Sequence, residues 1–394
     1  MKNSKETRRK FFQHALTTSV GVAVAPSLLK SATLSIDNQQ RTIPIPQQQE
    51  WRNKQSGMAY RMFGNTGMMV SEVTQGTALW QDESFIRAFE TGYEKGINYI
   101  DTSPAYCKGQ AEKLVGRYIK QSGNREKVFL SNKISFYDEY MLNLANDILK
   151  GLPASKQEKF QLQAQKMIEE RGVLKPGYHF MYWEGQERKL YNTYVRYLIT
   201  KEYGQLRKWK AGIKERMYQL VENSLKTTQT DYFDVLHCPH GVAMPEMLDD
   251  ENIIEVLEDL KQKGTIRFAA LSMHNDVAGN LERAIELGYY DGAMLAYNIG
   301  NHASVDRLIY KANKAGMGIV AMKVANIIHR EDTPQWRVDK LNAAIEGDLS
   351  KYAKAYLWAL QNPNISCCVS DMRTEEMIQE NISIVGKQSG IQKI

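Results

Sequence analysis

Gly96-Ile97-Asn98-Tyr99-Ile100-Asp101-Thr102-Ser103-Pro104-Ala105-Tyr106 holds a helix stop, a short apolar run and a polar loop in succession. Gly96 closes an amphipathic stretch, Glu83–Lys95, at the left-handed position where helix ends favour glycine. Asn98–Asp101 then reads as a strand ending on a carboxylate, with Tyr106 in the loop beyond. The same alternation runs outward in both directions. Strands are expected at Glu72–Gly76, Asn98–Asp101, Val128–Asn132, Phe233–His237, Ile266–Ser272, Ala293–Tyr297, Gly318–Lys323 and Ile365–Val369. Helices are expected at Gln110–Ile119, Lys214–Leu225, Asn252–Lys263, Val277–Leu287, Ser304–Lys314 and Ser350–Leu360, with a last one from about Thr374. Gly264, Gly288 and Gly316 repeat the helix stop. Eight strand–helix units in strict alternation favour a (β/α)8 (TIM) barrel over an open doubly wound sheet, and no Gly-x-Gly-x-x-Gly follows the first strand.

Two additions interrupt the plain pattern. Tyr60–Phe63, the turn Gly64-Asn65-Thr66-Gly67 and Met68–Val70 read as a β-hairpin ahead of the first strand, expected to plug the N-terminal end of the barrel. Between the third strand and its helix lies an insertion, about 134–213, rich in aromatics (Tyr178, Phe180, Tyr182, Trp183, Tyr191, Tyr194, Tyr197) and helix formers. Because it follows a strand's C-terminal end, it is expected at the mouth of the barrel, as a helical lid or pocket wall; a subdomain for oligomer contact is the alternative.

The chain has 394 residues, 43% hydrophobic and 24% charged, enough for a large core and incompatible with wholesale disorder. Its formal charge of +6 is concentrated at the front: Lys2, Lys5, Arg8, Arg9, Lys10 and Lys30 stand against Glu6 alone within residues 1–32. The remainder is close to neutral, which argues against a nucleic-acid footprint. No run of ~18 apolar residues marks a membrane span. Arg8-Arg9 followed by Lys10-Phe11-Phe12 and a weakly apolar stretch reads as an export signal over 1–32 resembling the twin-arginine type, which exports folded proteins; a basic terminus with no such role is the alternative. That reading makes the export machinery a partner and the periplasm the destination, with 33–57 a linker and 58–394 the barrel. Cys107, Cys238, Cys367 and Cys368 lack metal or redox spacing and are expected as thiols, with no metal site.

Four polar residues fall at strand ends or just beyond. Asp101 ends the second strand with Tyr106 after it, Lys133 ends the third, and His237 ends the fourth. An ammonium near a phenol favours the phenolate, so Lys133 is expected to lower the Tyr106 pKa from its usual ~10. Asp101 would keep the lysine charged, and His237 would orient a substrate oxygen. Such a phenol gives a proton to a carbonyl oxygen or takes one from an alcohol, chemistry that pairs with hydride transfer at carbon. No pair of carboxylates stands ready for glycoside hydrolysis.

From about Met58 to Val385, the insertion aside, the chain resembles the aldo-keto reductases. The likeness rests on Tyr60–Gly67 with Val70-Ser71, Gly96–Tyr106, Gly109–Gly116, Ser131-Asn132-Lys133 and Asp231–Pro239. It implies that Asp101, Tyr106, Lys133 and His237 form a catalytic tetrad serving an NADP (or NAD) dinucleotide and a small carbonyl or alcohol substrate. It also implies cofactor contacts at Gly76, Thr77, Ser272, Met294, Met322 and Lys323, with Arg373, Glu380 and Asn381 at the adenosine end. Some positions depart from the family pattern: Met273, Met294 and Met322 replace Asn, Gln and an aromatic, Lys323 replaces Ser, and Asp371 replaces Gly. A non-catalytic barrel that binds a ligand for recognition is the rival reading.

Overall fold

Alternation along the strands builds the barrel interior. The computed structural model describes residues 48–203 and 207–387; the expected export signal lies outside them. The strands are β1 (Glu50–Trp51), β2 (Tyr60–Met62), β3 (Met68–Ser71), β4 (Val73–Gly76), β5 (Tyr99–Asp101), β6 (Phe129–Lys133), β7 (Phe233–Val242), β8 (Ile266–Met273), β9 (Gly292–Ala296), β10 (Gly318–Met322) and β11 (Cys367–Ser370). The parallel strands β4 to β11 close into an eight-stranded barrel, with Cys368 of β11 opposite Val73 of β4. With a side-chain period of two, Tyr99, Phe129, Val235, Ala270, Met294, Val320 and Cys367 meet inside as one buried cluster. The residues one step further along the same inward faces, Asp101, Ser131 and His237, lie toward the C-terminal mouth.

The hairpin closes the other end, as expected: β2 pairs antiparallel with β3, and Phe63, Met68 and Val70 join the interior cluster. Phe63 fills space that side chains would otherwise occupy, because a Cβ on Gly292 or Gly318 would come within 2.4 or 2.5 Å of its ring. The same end carries a closed charge cluster. Asp234, fully buried, accepts from Arg125 at 2.9 Å, Arg267 at 2.7 Å, Arg52 at 3.1 Å and the Leu130 amide at 2.9 Å. Burial opposes its charge, yet the three guanidiniums hold its carboxyl below the usual range.

Residues 48–57, expected at the end of the linker, are integrated into this base. Strand β1 lies parallel to β3, and Arg52 also donates to the Val128 carbonyl at 2.7 Å. Two residues of strand are too few to leave a period in the sequence.

The insertion forms three helices, Tyr137–Lys150, Ala154–Arg171 and Gln186–Tyr203. They share small cores (Ala145, Phe160 and Ile199; Ala164, Ile168, Leu190 and Tyr194), the second extended by Ala243 and Met244 beyond β7. The helix that returns to the barrel runs Arg207–Thr228, longer than the expected Lys214–Leu225. Two short helices, Asn326–His329 and Gln335–Ala344, occupy the loop after β10, where none was anticipated. Cys238, Cys367 and Cys368 are buried free thiols and Cys107 is partly buried.

Candidate active site

Register brings the four expected residues together. Lys133 of β6 lies directly opposite His237 of β7, and Asp101 of β5 opposite Ser131, two residues before Lys133 on the same face. The Lys133 ammonium, buried, donates to both Asp101 oxygens at 2.6 Å and to the Thr102 carbonyl at 2.9 Å. Ser131 donates to Asp101 at 2.6 Å. The pair is therefore locked, with all three ammonium protons spent. Burial pushes the lysine pKa down and Asp101 resists it.

Tyr106 sits over this pair, its ring centroid 4.8 Å from the Lys133 nitrogen. A tight turn holds it there. Cys107 and Lys108 adopt left-handed backbone (φ 47° and 55°) before Gly109 (φ 84°) opens the next helix. For the two non-glycine residues this costs on the order of 1–2 kcal/mol each, strain of the kind that accumulates at functional sites. The expected lowering of the phenol is not what the arrangement gives. Burial, and then the Asp101 carboxylate that accepts its proton, push the Tyr106 pKa well up. Lys133 faces the ring while its charge is spent on Asp101, so the phenol retains its proton.

His237 is fully buried, and burial followed by Lys133 lowers its pKa to about 4. Its Nδ1 lies 3.2 Å from the Leu271 carbonyl, which can only accept, so Nδ1 carries the proton. Nε2 is left as a buried acceptor without a protein partner. In this tautomer it takes a hydrogen bond from a hydroxyl and offers none to a carbonyl, which qualifies the expected orienting role: the resting imidazole matches the alcohol side of the reaction.

The remaining expected residues are placed as follows. Gly76 abuts β11, where a Cβ would stand 3.1 Å from Val369. The Thr77 hydroxyl donates to the Asp101 carbonyl and accepts from the Thr102 hydroxyl, each at 3.0 Å. Ser272 accepts from the Gly241 amide at 3.2 Å. Met294 and Met322 pack in the barrel interior. Arg373 is exposed, Glu380 partly buried, and Asn381 buried with its amide donating to Ser370 at 3.1 Å.

At adjacent strand ends stand Lys323 (left-handed, φ 59°), just after β10, and Asp371, just after β11. Burial raises the Asp371 pKa to about 6, with Arg373, a hydrogen bond from the Leu79 backbone and Lys323 opposing, and neither of its oxygens has a side-chain partner. Two cations and a carboxylate with unfilled acceptors fit a dinucleotide: Lys323 and Arg373 suit diphosphate oxygens, and Asp371 suits a ribose hydroxyl.

The mouth holds more than the sequence reading assigned. His240 and His274 both reach it, and the loop between the inserted helices crosses to the far strands. Tyr178 bonds Asp276, Tyr182 accepts from Asn298 at 3.1 Å, Gln186 donates to Asn275 at 2.8 Å, and Trp183 stands edge-on to His274 at 4.6 Å. The aromatic richness of the insertion signalled this crossing. His240 carried no signal, because it stands three residues past His237, off the period of two; His274 lies two residues past Ser272 on the inward-facing period, a step that could have marked it.

The Aldo/keto reductase family model matches residues 67–160 and 193–326, leaving out the middle of the insertion. The chain is 34% identical to the aldo-keto reductase YhdN of Bacillus subtilis (strain 168) over 224 residues, 55% of this chain and about half (47%) of that protein. It is 22% identical to the L-galactose dehydrogenase of Arabidopsis thaliana over 351 residues, covering 82% of this chain and 87% of that one. An aldo/keto reductase from Klebsiella pneumoniae, solved in complex with NADP and acetate, superposes with a TM-score of 0.54 at 16% identity, covering 84% and 92% of the two chains.

Proposed function

Because the chain belongs to the aldo/keto reductase family, we propose that it is an exported oxidoreductase using NADP (NAD as the lesser alternative) on a carbonyl or alcohol of a small, sugar-like metabolite. The observation that carries this is the meeting of Asp101, Lys133, Tyr106 and His237 on three adjacent strands at the mouth. When bound, the nicotinamide supplies or accepts the hydride at the substrate carbon. The protein's part is to hold and move a proton at the substrate oxygen. A hydroxyl entering the site donates a hydrogen bond to His237 Nε2, and the proton it loses on oxidation passes to the Tyr106 oxygen, which must enter that direction deprotonated. On the carbonyl side, the substrate oxygen competes with Asp101 for the phenolic proton, and Lys133 holds the carboxylate in place throughout. The relative named L-galactose dehydrogenase and the Klebsiella enzyme solved with NADP support the substrate and cofactor readings.

The test is turnover of NADPH with aldehydes by the purified mature protein, together with the mass and absorbance of whatever co-purifies. Tyr106→Phe should lower kcat by 100-fold or more, on the order of the 10²–10⁴ that general acid–base catalysis contributes. Unchanged turnover would remove Tyr106 from the chemistry. The export reading is tested by fractionation: Arg8→Lys with Arg9→Lys should leave unprocessed protein in the cytoplasm. A binding barrel without catalysis is the second reading, favoured by a phenol engaged on Asp101 and by interior packing of Met294 and Met322. It requires dinucleotide binding with no turnover.

A further inference from the structure

Resting on the reading that this mouth oxidises and reduces small alcohols and carbonyls, we propose that His240, His274 and Trp183 form a subsite for hydroxyl groups next to the reacting carbon, so that the preferred substrate is a neutral polyhydroxylated compound.

The subsite begins with a fault in β7. His237 faces Ala270 and His240 faces Ser272, so three steps on β7 match two on β8, and a second shift follows before Val242. A strict period of two would turn residues 237 and 240 to opposite faces; the bulge turns both toward the mouth. There the His240 ring stands edge-on to Tyr106, centroids 6.3 Å apart. Its Nδ1 is fixed at 2.6 Å from the Ser135 hydroxyl, which meets the Ser103 hydroxyl at 2.8 Å, and Ser103 in turn accepts from the Ala105 amide at 3.1 Å. The chain anchors His240 to the loop that carries Tyr106, so the ring keeps one position relative to the reacting oxygen. Nε2 is the nitrogen left for a ligand.

The neighbouring strand supplies the second imidazole, His274 just past the end of β8, and the inserted loop supplies a platform. His274 Nδ1 is buried without a partner, and its ring lies against Trp183, which is 37% exposed although it is a large aromatic. Charge selects the ligand class. Burial, with Lys133 and Lys189 nearby, keeps both His240 and His274 neutral. A neutral imidazole has one donor and one acceptor, the complement of a hydroxyl; a carboxylate would need two donors. Of the nearby cations, Lys133 is already paired with the Asp101 carboxylate. An aromatic face beside neutral hydrogen-bonding groups suits a hydroxylated carbon skeleton.

Glyceraldehyde and propanal test this, being three-carbon aldehydes that differ only in the two hydroxyls beside the carbonyl. With NADPH, the full-length protein should favour glyceraldehyde in kcat/KM. His240→Phe should lower the ratio of kcat/KM for glyceraldehyde over that for propanal roughly 10- to 100-fold, the worth of a buried hydrogen bond. His240→Asn, which retains a donor and an acceptor, should recover part of the loss. Equal losses for both aldehydes, or no loss, or no wild-type preference, overturns the subsite while leaving the oxidoreductase reading intact. Consumption of neither aldehyde, with dinucleotide bound, overturns the oxidoreductase reading and the subsite with it.

Discussion

Replacing Asp101 by Asn tests the centre of the site with almost no change of shape. Lys133 makes three donations, two of them to Asp101, and its side chain is 1% exposed. The substitution leaves an ammonium with hydrogen-bond partners and no counter-charge. Removing one member of a buried pair costs about 3–5 kcal/mol, because the other remains as an uncompensated charge. The lysine pKa is already lowered by burial, and Asp101 is the largest influence opposing that. The variant therefore lowers it further. A folded-state pKa below the unfolded value of ~10.4 means that the unfolded chain binds more protons, so stability rises with pH across that window, by about 1.4 kcal/mol per unit once the folded lysine is neutral. Urea unfolding followed by tryptophan fluorescence at pH 7 and pH 9.5 should thus show a large deficit that shrinks at the higher pH. Lys133→Met alone strands the carboxylate instead, and the double variant should be more stable than either single one. A deficit below about 1 kcal/mol at pH 7, or a double variant no better than Asp101→Asn, would refute the buried-pair argument.

Three other perturbations follow from the same structure. His237 is held at about 4 against ~6.5 in the unfolded chain, so its contribution is present above pH 6.5 and is lost as pH falls toward 4, about 3 kcal/mol in all; His237→Asn should flatten the stability curve there, and parallel curves would contradict this. Gly318→Ala drives a methyl into Phe63, an overpacking cost of about 1–3 kcal/mol that Phe63→Leu in the same chain should relieve, as thermal melting would show. Removing residues 1–57 takes away Arg52 and its bonds to Val128 and Asp234, so it should lower the melting temperature, whereas removing 1–32 should not; equal midpoints would return 48–57 to the status of a linker.

The barrel was legible because its signal is repeated. All eight strands lie within three residues of the expected starts, and the glycines after the helices marked the joints. The tetrad was legible because Asp101 and Lys133 each end a strand, His237 closes the apolar run of the next one, and a barrel brings neighbouring strands together, with Lys133 opposite His237. What stayed hidden has local causes. Strand β1 is two residues long, too short to show a period. The inward turn of His240 depends on a bulge, a register difference between two strands that neither strand's own sequence states. The direction of the Tyr106 shift depends first on burial and then on Asp101, whose carboxylate accepts from the phenol; spacing placed a lysine nearby and stated neither.

The buried charge at the base and the buried imidazoles at the mouth are satisfied to different degrees. At the base, Asp234 is surrounded by three guanidiniums and an amide, a carboxylate with its acceptor capacity filled. At the mouth, among the described residues, His237 Nε2 and His274 Nδ1 are buried and lack a hydrogen-bond partner. Each unfilled polar atom costs about 1–3 kcal/mol, and two strained residues beside Tyr106 add to that. A ligand at the mouth, where Tyr106, His237 and the inserted loop converge, would supply the missing partners of His237 Nε2 and His274 Nδ1. Ligands that complete them should then stabilise the protein well beyond what their contact area suggests.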